Sequence, residues 1–449
     1  MNRLPEQLQT RVDQLLGLAS PDQEIYLVGG AIRNLLLNQS FKDLDFIVTS
    51  DVLGLARRMA DEHHGAFYLL DHDRGICRVL LGHGEDRHVL DFAAFQGTTL
   101  EEDLRNRDFT FNALAVDLRN TGQFIDPLHG AQDLRDKMVR LCSPTSLDSD
   151  PVRILRALRF AAEIGGTLDK PVIDGIRRIS PLLARVSEER KRDELHKLLI
   201  VPRAAAALGA GVKLGVFDKF LGITDDSVAK AQRTEYLINY LMGTNPDNKA
   251  ENLKLAQLAI NLGPFKNQLG RYLRTQFTYG VYRSAQLLLA SLGLDDARFG
   301  QLALSNDETR YLQFVKVGQD RLAALMKNEA SLDDLKIFRY FKRIRECGID
   351  AALLMIANAI YLQETEIAGD DLEPSLRLAS KLLDAWFNRY SQVVEPKRFL
   401  DGHEVQQLIK VGPGPELGAI LKNIEELQVS GEIKSRDDAI AACKRLSNP

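Results

Sequence analysis

Charge alternates with apolar residues along Asp43-Leu44-Asp45-Phe46-Ile47-Val48, a period of two that predicts a half-buried strand. Just upstream, the apolar run Ile25–Val28 predicts a short strand that ends at Gly29-Gly30 and feeds a helix from about Ala31 to Leu37. Asp51–His63 carries helical spacing. Gly75–Leu81 and His88–Phe92 predict further strands, joined by the turn-like Gly82-His83-Gly84-Glu85-Asp86. Phe109–Leu118 continues the sheet or packs on it. After about Ser143 the period changes to that of helices, over Pro151–Glu163, Pro171–Ser180 and Ser187–Ile200. From Val201 onward the chain reads as almost wholly helical, with breaks at Gly243-Thr244-Asn245-Pro246 and Gly412-Pro413-Gly414-Pro415. The expectation is an α/β head on a long helical body, without internal repeats.

Composition narrows the class. A chain of 449 residues exceeds one ordinary hydrophobic core. With 45% hydrophobic and 27% charged residues it reads as a soluble protein. The formal net charge of −4 excludes a global positive field, so a nucleic-acid partner has to be met by local basic patches. The cysteines Cys77, Cys142, Cys347 and Cys443 form no CxxC pair, which argues against structural zinc and fits a reducing cytosol. The opening MNRLPEQLQTRV has no apolar signal core, and apolar runs such as Ala351–Leu362 are too short for a bilayer. The expected location is cytoplasmic, with no membrane.

The candidate chemistry lies in the head. Asp43 and Asp45, two apart on a strand, share one face. Two carboxylates so placed repel unless a cation lies between them, and hard oxygen ligands suit Mg2+. Alone, the pair also reads as the solvated face of an edge strand. The loop upstream shifts that balance. Gly29-Gly30 lets backbone approach a phosphate closely, and Arg33 follows one turn into the helix. Asp91, in Val89-Leu90-Asp91-Phe92, reads either as a third carboxylate of the site or as a strand-end cap.

Leu27-Val28-Gly29-Gly30-Ala31-Ile32-Arg33 with Asp43-Leu44-Asp45 resembles the first motif of the class II tRNA nucleotidyltransferase and bacterial poly(A) polymerase family. Four further blocks follow in the family's order: Arg107-Asp108-Phe109-Thr110-Phe111-Asn112-Ala113; Asp126-Pro127-Leu128-His129-Gly130 with Asp133-Leu134; Asp150 to Phe160; and Arg190 with Glu194 and Lys197. The resemblance covers about residues 25–200. It implies an α+β protein, a polymerase-β-like head followed by an all-α neck, body and tail. The corresponding divisions are 1–142, 143–200, 201–330 and 331–449. It implies two Mg2+ on Asp43 and Asp45; Asp91 joins them as a catalytic candidate on its strand position alone. Gly29, Gly30 and Arg33 would hold the triphosphate. Arg107, Asp108 and Asn112 would contact the nucleotide, with Asp108 on the ribose. Asp150 and Arg153 would read the base edge of CTP or ATP, supported by Arg156 and Arg159. Arg190, Glu194 and Lys197 would support that template.

Read without the family, several of these residues have plainer roles. Asp150-Pro151 fits a helix N-cap followed by its first residue, and Asp150 and Arg153 are spaced to pair. Arg156 and Arg159 fit a solvated helix face. Arg190 and Glu194, four apart, fit a surface salt bridge. The chain departs from the family's pattern at Asn34, Asn106, His129 and Ser149, where Asp, Arg, Gly and Glu are usual. Ser149 adjoins the base-reading pair, so base choice is the part these departures touch most.

The implied reaction is CCA addition to the acceptor arm of tRNA from CTP and ATP, with no stable protein partner. Lys191-Arg192, Lys342-Arg343-Arg345 and Lys397-Arg398 are candidate RNA contacts. Leu400-Asp401-Gly402, Gly414–Gly418, Gly431-Glu432-Ile433 and Asp438-Ala439-Ile440 resemble the tail of tRNA-directed members. There the glycine-proline loop at a helix start reads as a phosphate contact or as a plain turn. The rivals are an enzyme adding only CC or only A, a poly(A) polymerase, and a silent RNA-binding protein. The chain ends without the basic run common in poly(A) enzymes, and the histidines after His129, His196 and His403, are not followed by Asp, which argues against an appended phosphohydrolase domain.

Overall fold

The computed structural model describes residues 5–41, 43–84, 87–120, 124–218, 220–244, 252–278, 280–327, 332–365 and 372–447. Glu85 and Asp86 of the expected turn, and Asn245 and Pro246 of the expected break, lie outside the described residues. The chain forms two compact units, residues 1–220 and 221–449.

The first unit is built on one seven-stranded sheet. Its strands are β1 (Ile25–Val28), β2 (Asp43–Val48), β3 (Ala66–Asp71), β4 (Ile76–Leu81), β5 (His88–Ala93), β6 (Ala115–Asp117) and β7 (Phe124–Ile125). The spatial order is β3-β4-β5-β2-β1-β6-β7, and β2 and β5 run parallel while the other neighbours are antiparallel. Two helices fill one sheet face, α1 (Glu6–Leu18) and α3 (Val52–Glu62). The buried residues of α3, Val52, Leu55, Ala56, Met59 and Ala60, recur at helical spacing and pack on Phe46, Phe92 and Val79. Between them α2 (Gly30–Leu36) starts directly at the glycine pair.

Among the elements that the sequence pattern did not predict are α1 and β3. α1 buries Leu8, Val12 and Leu15, an i, i+4, i+7 set that was legible but overlooked. β3 is an edge strand exposed on both faces, so it carries no alternation to betray it.

α4 (Leu100–Arg105) lies between β5 and β6, and after the sheet come α5 (Gly130–Arg135), α6 (Ser146–Ser149), α7 (Arg153–Ile164), α8 (Lys170–Ile179) and α9 (Glu188–Leu199). The last three match the expected helical stretches closely. α7, however, starts at Arg153, two residues beyond the expected first position, with Val152 as its N-cap. Asp150, held extended at φ −152° and ψ 98°, closes α6 instead. A residue before proline is pushed out of helical geometry, which accounts for the shift. Asp150 still accepts the Val152 N–H, at 3.3 Å.

The second unit is mainly helical. Cys347–Thr365, apolar nearly all round, is its central helix. It packs against Asp225–Met242, Asn306–Met326 and Leu372–Phe387. One short hairpin, Gln276–Thr278 with Val281–Tyr282, interrupts the expected run of helices. The last three helices, Gly402–Ile409, Pro415–Val429 and Arg436–Ser447, share a core of their own around Val405, Ile420, Ile424 and Ala439. All four cysteines are buried and free. Among the described residues no helix is long and apolar enough to cross a membrane.

Candidate active site

β2 lies at the centre of the sheet, between β1 and β5, which overturns the reading of Asp43 and Asp45 as an edge-strand face. Strand register sets Val28, Asp45 and Asp91 side by side, and Asp43 beside Val89. The two β2 carboxylates therefore point away from the core of Leu44, Phe46 and Val48. Gly29 sits at φ +75°, and a Cβ there would stand 3.2 Å from both Asp45 Oδ2 and Arg107 Nη1. Glycine is needed here for conformation and for space.

Burial pushes the Asp45 carboxyl up to about 6; Arg107 pulls it back while Asp91 and Asp43 push it further. Burial and Asp91 also raise Asp43. Carboxylates that resist ionisation together are relieved by a cation between them, so the donor set fits a hard divalent ion. Among the described residues no three His, Cys, Asp or Glu side chains converge on a metal-sized point. An ion here would be held by Asp43 and Asp45 and completed by oxygens from outside the protein. Asp91 is mid-strand, not a strand-end cap. It is gripped by Arg78 through bonds of 2.7 and 2.8 Å.

Beside the carboxylates, one cavity of about 590 Å³ is lined by fourteen of the sixteen candidate residues, all but Asp43 and Asp91. Its floor is the ring of Phe160, with the guanidinium carbons of Arg33, Arg156 and Arg159 at 4.8, 5.4 and 4.0 Å from the ring centre. Arg33 donates to Asn112 Oδ1 at 2.8 Å and lies 3.5 Å from Glu163. Arg159 pairs with Glu163 at 3.0 Å and, more closely, with Glu194. Glu194 also faces Arg156 and Lys197, each at 3.9 Å. Glu194 is buried, so the surface salt bridge with Arg190 does not form. Glu163 and Phe160 carried no role in the sequence reading. The i, i+4 spacing of Arg159 and Glu163 was the available signal.

Asp108 is buried and its four acceptor positions are filled. Oδ1 takes the Phe109 N–H at 2.8 Å and the Asn112 amide at 3.1 Å, while Oδ2 takes Arg156 Nε at 2.8 Å and Nη2 at 2.5 Å. Burial alone would raise this carboxyl, but Arg156, the Asn112 amide and the Phe109 N–H hold it below its usual value.

Asp150 and Arg153 do not pair with each other. Asp150 Oδ2 accepts from Arg190 at 2.7 Å. Arg153 is pinned by Ser146 Oγ at 2.7 Å, by the Asn106 carbonyl at 3.1 Å and by the Arg107 carbonyl at 3.3 Å. Their helical spacing brings the backbones together, but the nearer acceptors of α6 and of the 106–107 loop capture the guanidinium. Asp150, Arg153 and Arg190 also wall a second cleft of about 1430 Å³ that reaches His72–Gly75. Of the candidate RNA contacts, Lys191 is buried and paired with Glu188 at 2.7 Å, and Lys342 and Arg398 both pair with Glu425. Burial takes Lys191 off that surface.

Residues 25–140 match the family model described as the Poly A polymerase head domain. Residues 167–226 match one described as a probable RNA and SrmB-binding site of polymerase A. The A-adding tRNA nucleotidyltransferase of Deinococcus radiodurans is 30% identical over 437 residues, 93% of this chain and 94% of the relative. The chain belongs to the tRNA nucleotidyltransferase and poly(A) polymerase family. It is a nucleotidyltransferase. The CC-adding tRNA nucleotidyltransferase of Synechocystis sp. is 26% identical over 429 residues, 94% and 93% of the two chains. A solved CCA-adding enzyme in an apo form superposes with a TM-score of 0.69 at 18% identity, covering 99% of this chain and 95% of its own, a likeness of fold. Nucleotidyltransferases of this family generally use a divalent metal.

Proposed function

We propose that this nucleotidyltransferase adds CCA to the acceptor end of tRNA from CTP and ATP in the cytoplasm, without a nucleic-acid template. The observation that carries the reading is the cavity that sets Asp45 beside three stacked guanidiniums and the rigid Asp150–Arg153 wall. The division into head 1–142, neck 143–200, body 201–330 and tail 331–449 goes with this reading, the helical remainder holding the RNA.

Asp43 and Asp45 would hold Mg2+, which when bound acidifies the RNA 3′-hydroxyl and offsets charge on the leaving pyrophosphate. The hydroxyl attacks the α-phosphorus in line. Arg33 and the Gly29-Gly30 backbone would hold the triphosphate, with Arg107 between it and Asp45. Because Arg33 is already fixed by Asn112 and Glu163, and Arg107 by Asp103, they stabilise charge with little rearrangement. Asp108, with its acceptor positions filled, acts first by orienting Arg156; a ribose hydroxyl reaches it only if Arg156 turns away. Asp150 offers an acceptor and Arg153 donors to a base edge. Their separate anchors keep that pattern rigid, so a base with mismatched groups leaves buried polar atoms unpaired.

The second reading is addition of only CC or only A, which the names of the Synechocystis and Deinococcus relatives favour. Transcripts of tRNA ending at the discriminator base, after the first C or after the second C separate the two. Given CTP and ATP, growth by three nucleotides followed by arrest supports full CCA addition. Arrest after CC, or extension only of the CC end, supports the second reading. Long adenosine tails contradict both.

A further inference from the structure

Five exposed large apolar side chains, Leu36, Ile200, Ile260, Tyr282 and Val317, stand singly along the described chain. Tyr68, Leu69 and Leu70 of β3 instead form a run, at 50%, 44% and 52% exposure. Register ties this run to the catalytic carboxylates. Tyr68 lies opposite Arg78, Arg78 opposite Asp91, and Asp91 opposite Asp45. Directly opposed residues share a sheet face, so the four side chains form one row across β3, β4, β5 and β2. With strands about 4.8 Å apart, Tyr68 stands about 14 Å from Asp45.

The adjoining row, Asp43, Val89, Leu80 and Ala66, is uncharged beyond Asp43. The other sheet face is covered by α1 and α3 as far as β4, with Phe67 of β3 packed at the margin. On the Asp45 face, the cluster of Val28, Ile47, Leu104 and Ala115 covers only the β1, β2 and β6 side. The strip over β5, β4 and β3 stays open: the side chain of Asp91 is 27% exposed and that of Arg78 42%, and Tyr68 is half exposed.

We infer that this strip carries the last nucleotides of the acceptor RNA, with Tyr68 stacking on a base upstream of the 3′ end and Arg78 facing the phosphates between. The inference rests on the nucleotidyltransferase reading above and adds positioning residues to it. RNA leaving the carboxylates cannot pass through the neighbouring cavity while that cavity holds the triphosphate. The open strip offers what a single strand needs, an aromatic face that stacks on any base and a guanidinium fixed in position by Asp91. Continuity with the reacting carboxylates and the cation within the row favour RNA over a second copy paired along the β3 edge.

The test is steady-state extension of whichever tRNA acceptor the wild type uses, with Tyr68→Ala, Tyr68→Phe and Tyr68→Trp. Tyr68→Ala is expected to raise the RNA KM about tenfold or more. The nucleotide KM, saturating kcat and melting temperature should stay near wild type, and Phe and Trp should restore the RNA KM. An abasic site scanned through the last nucleotides should weaken wild type at one position and leave Tyr68→Ala unaffected there. An unchanged RNA KM in Tyr68→Ala overturns the inference. So does a wild-type dimer by light scattering that Tyr68→Ala converts to monomer. Failure of the wild type to extend any RNA would remove the nucleotidyltransferase reading and this inference with it.

Discussion

Glu194 is the common counter-ion of the cavity beside Asp45, so Glu194→Gln isolates the cost of holding its guanidiniums together. The carboxylate is 5% exposed, contacts Arg159 closely, and lies 3.9 Å from Arg156 and from Lys197. Gln keeps the shape and one acceptor but loses the charge. A unit pair at 4 Å is worth about 4 kcal/mol at an effective dielectric near 20. Removing one partner of a buried pair costs about 3–5 kcal/mol. Arg156 is 32% exposed and keeps Asp108, so its share is discounted, leaving about 2–4 kcal/mol in total. For a unit of this size that lowers Tm by about 5–15 °C. ATP should then raise the variant's Tm more than the wild type's, because its phosphates replace the missing negative charge. Thermal melts with and without ATP and divalent metal check both statements. A variant melting within about 2 °C of wild type, with the same response to ATP, would refute this electrostatic reasoning.

Asp108→Asn should destabilise the protein at neutral pH. Because the folded Asp108 carboxyl lies below its ordinary value, its contribution is fully present above about pH 4 and is lost as pH falls through the folded value, so the melting difference from wild type should shrink in strong acid. His129 sits in the left-handed region at φ 58° as the N-cap of α5, so His129→Gly should raise stability by about 0.5–1 kcal/mol in thermal melts. Its neighbour should respond in the opposite direction: a Cβ on Gly130 would stand 2.0 Å from the Thr110 carbonyl oxygen, and Gly130→Ala should lower Tm by several degrees. Chelation of divalent metal should abolish nucleotide incorporation, and added Mg2+ should restore it, in a radiolabelled extension assay.

Much of residues 25–200 was legible because the signals there are periodic. The DLDFIV alternation located β2 and the shared face of Asp43 and Asp45, and helical spacing located α7, α8 and α9 within two residues. The pairing of charges was not legible. Sequence offers only neighbours three or four apart, whereas Asp150 chose Arg190, 40 residues away, and Glu194 chose Arg159, 35 residues away. Asp91 looked equally like a cap and a site residue until register placed it beside Asp45. The Phe160 floor was hidden too, since one aromatic among apolar helix residues reads as ordinary core.

In the proposed reaction, transfer of nucleotides to tRNA depends on Asp43 and Asp45. Its most direct test is gel-resolved extension of a tRNA transcript lacking CCA by wild type, Asp43→Asn and Asp45→Asn, with CTP, ATP and Mg2+. Wild type should grow the transcript by three nucleotides and then stop, and both variants should incorporate at least a thousandfold more slowly with their melting curves retained (about 4 kcal/mol of lost transition-state stabilisation). Near-wild-type incorporation by either variant would contradict it.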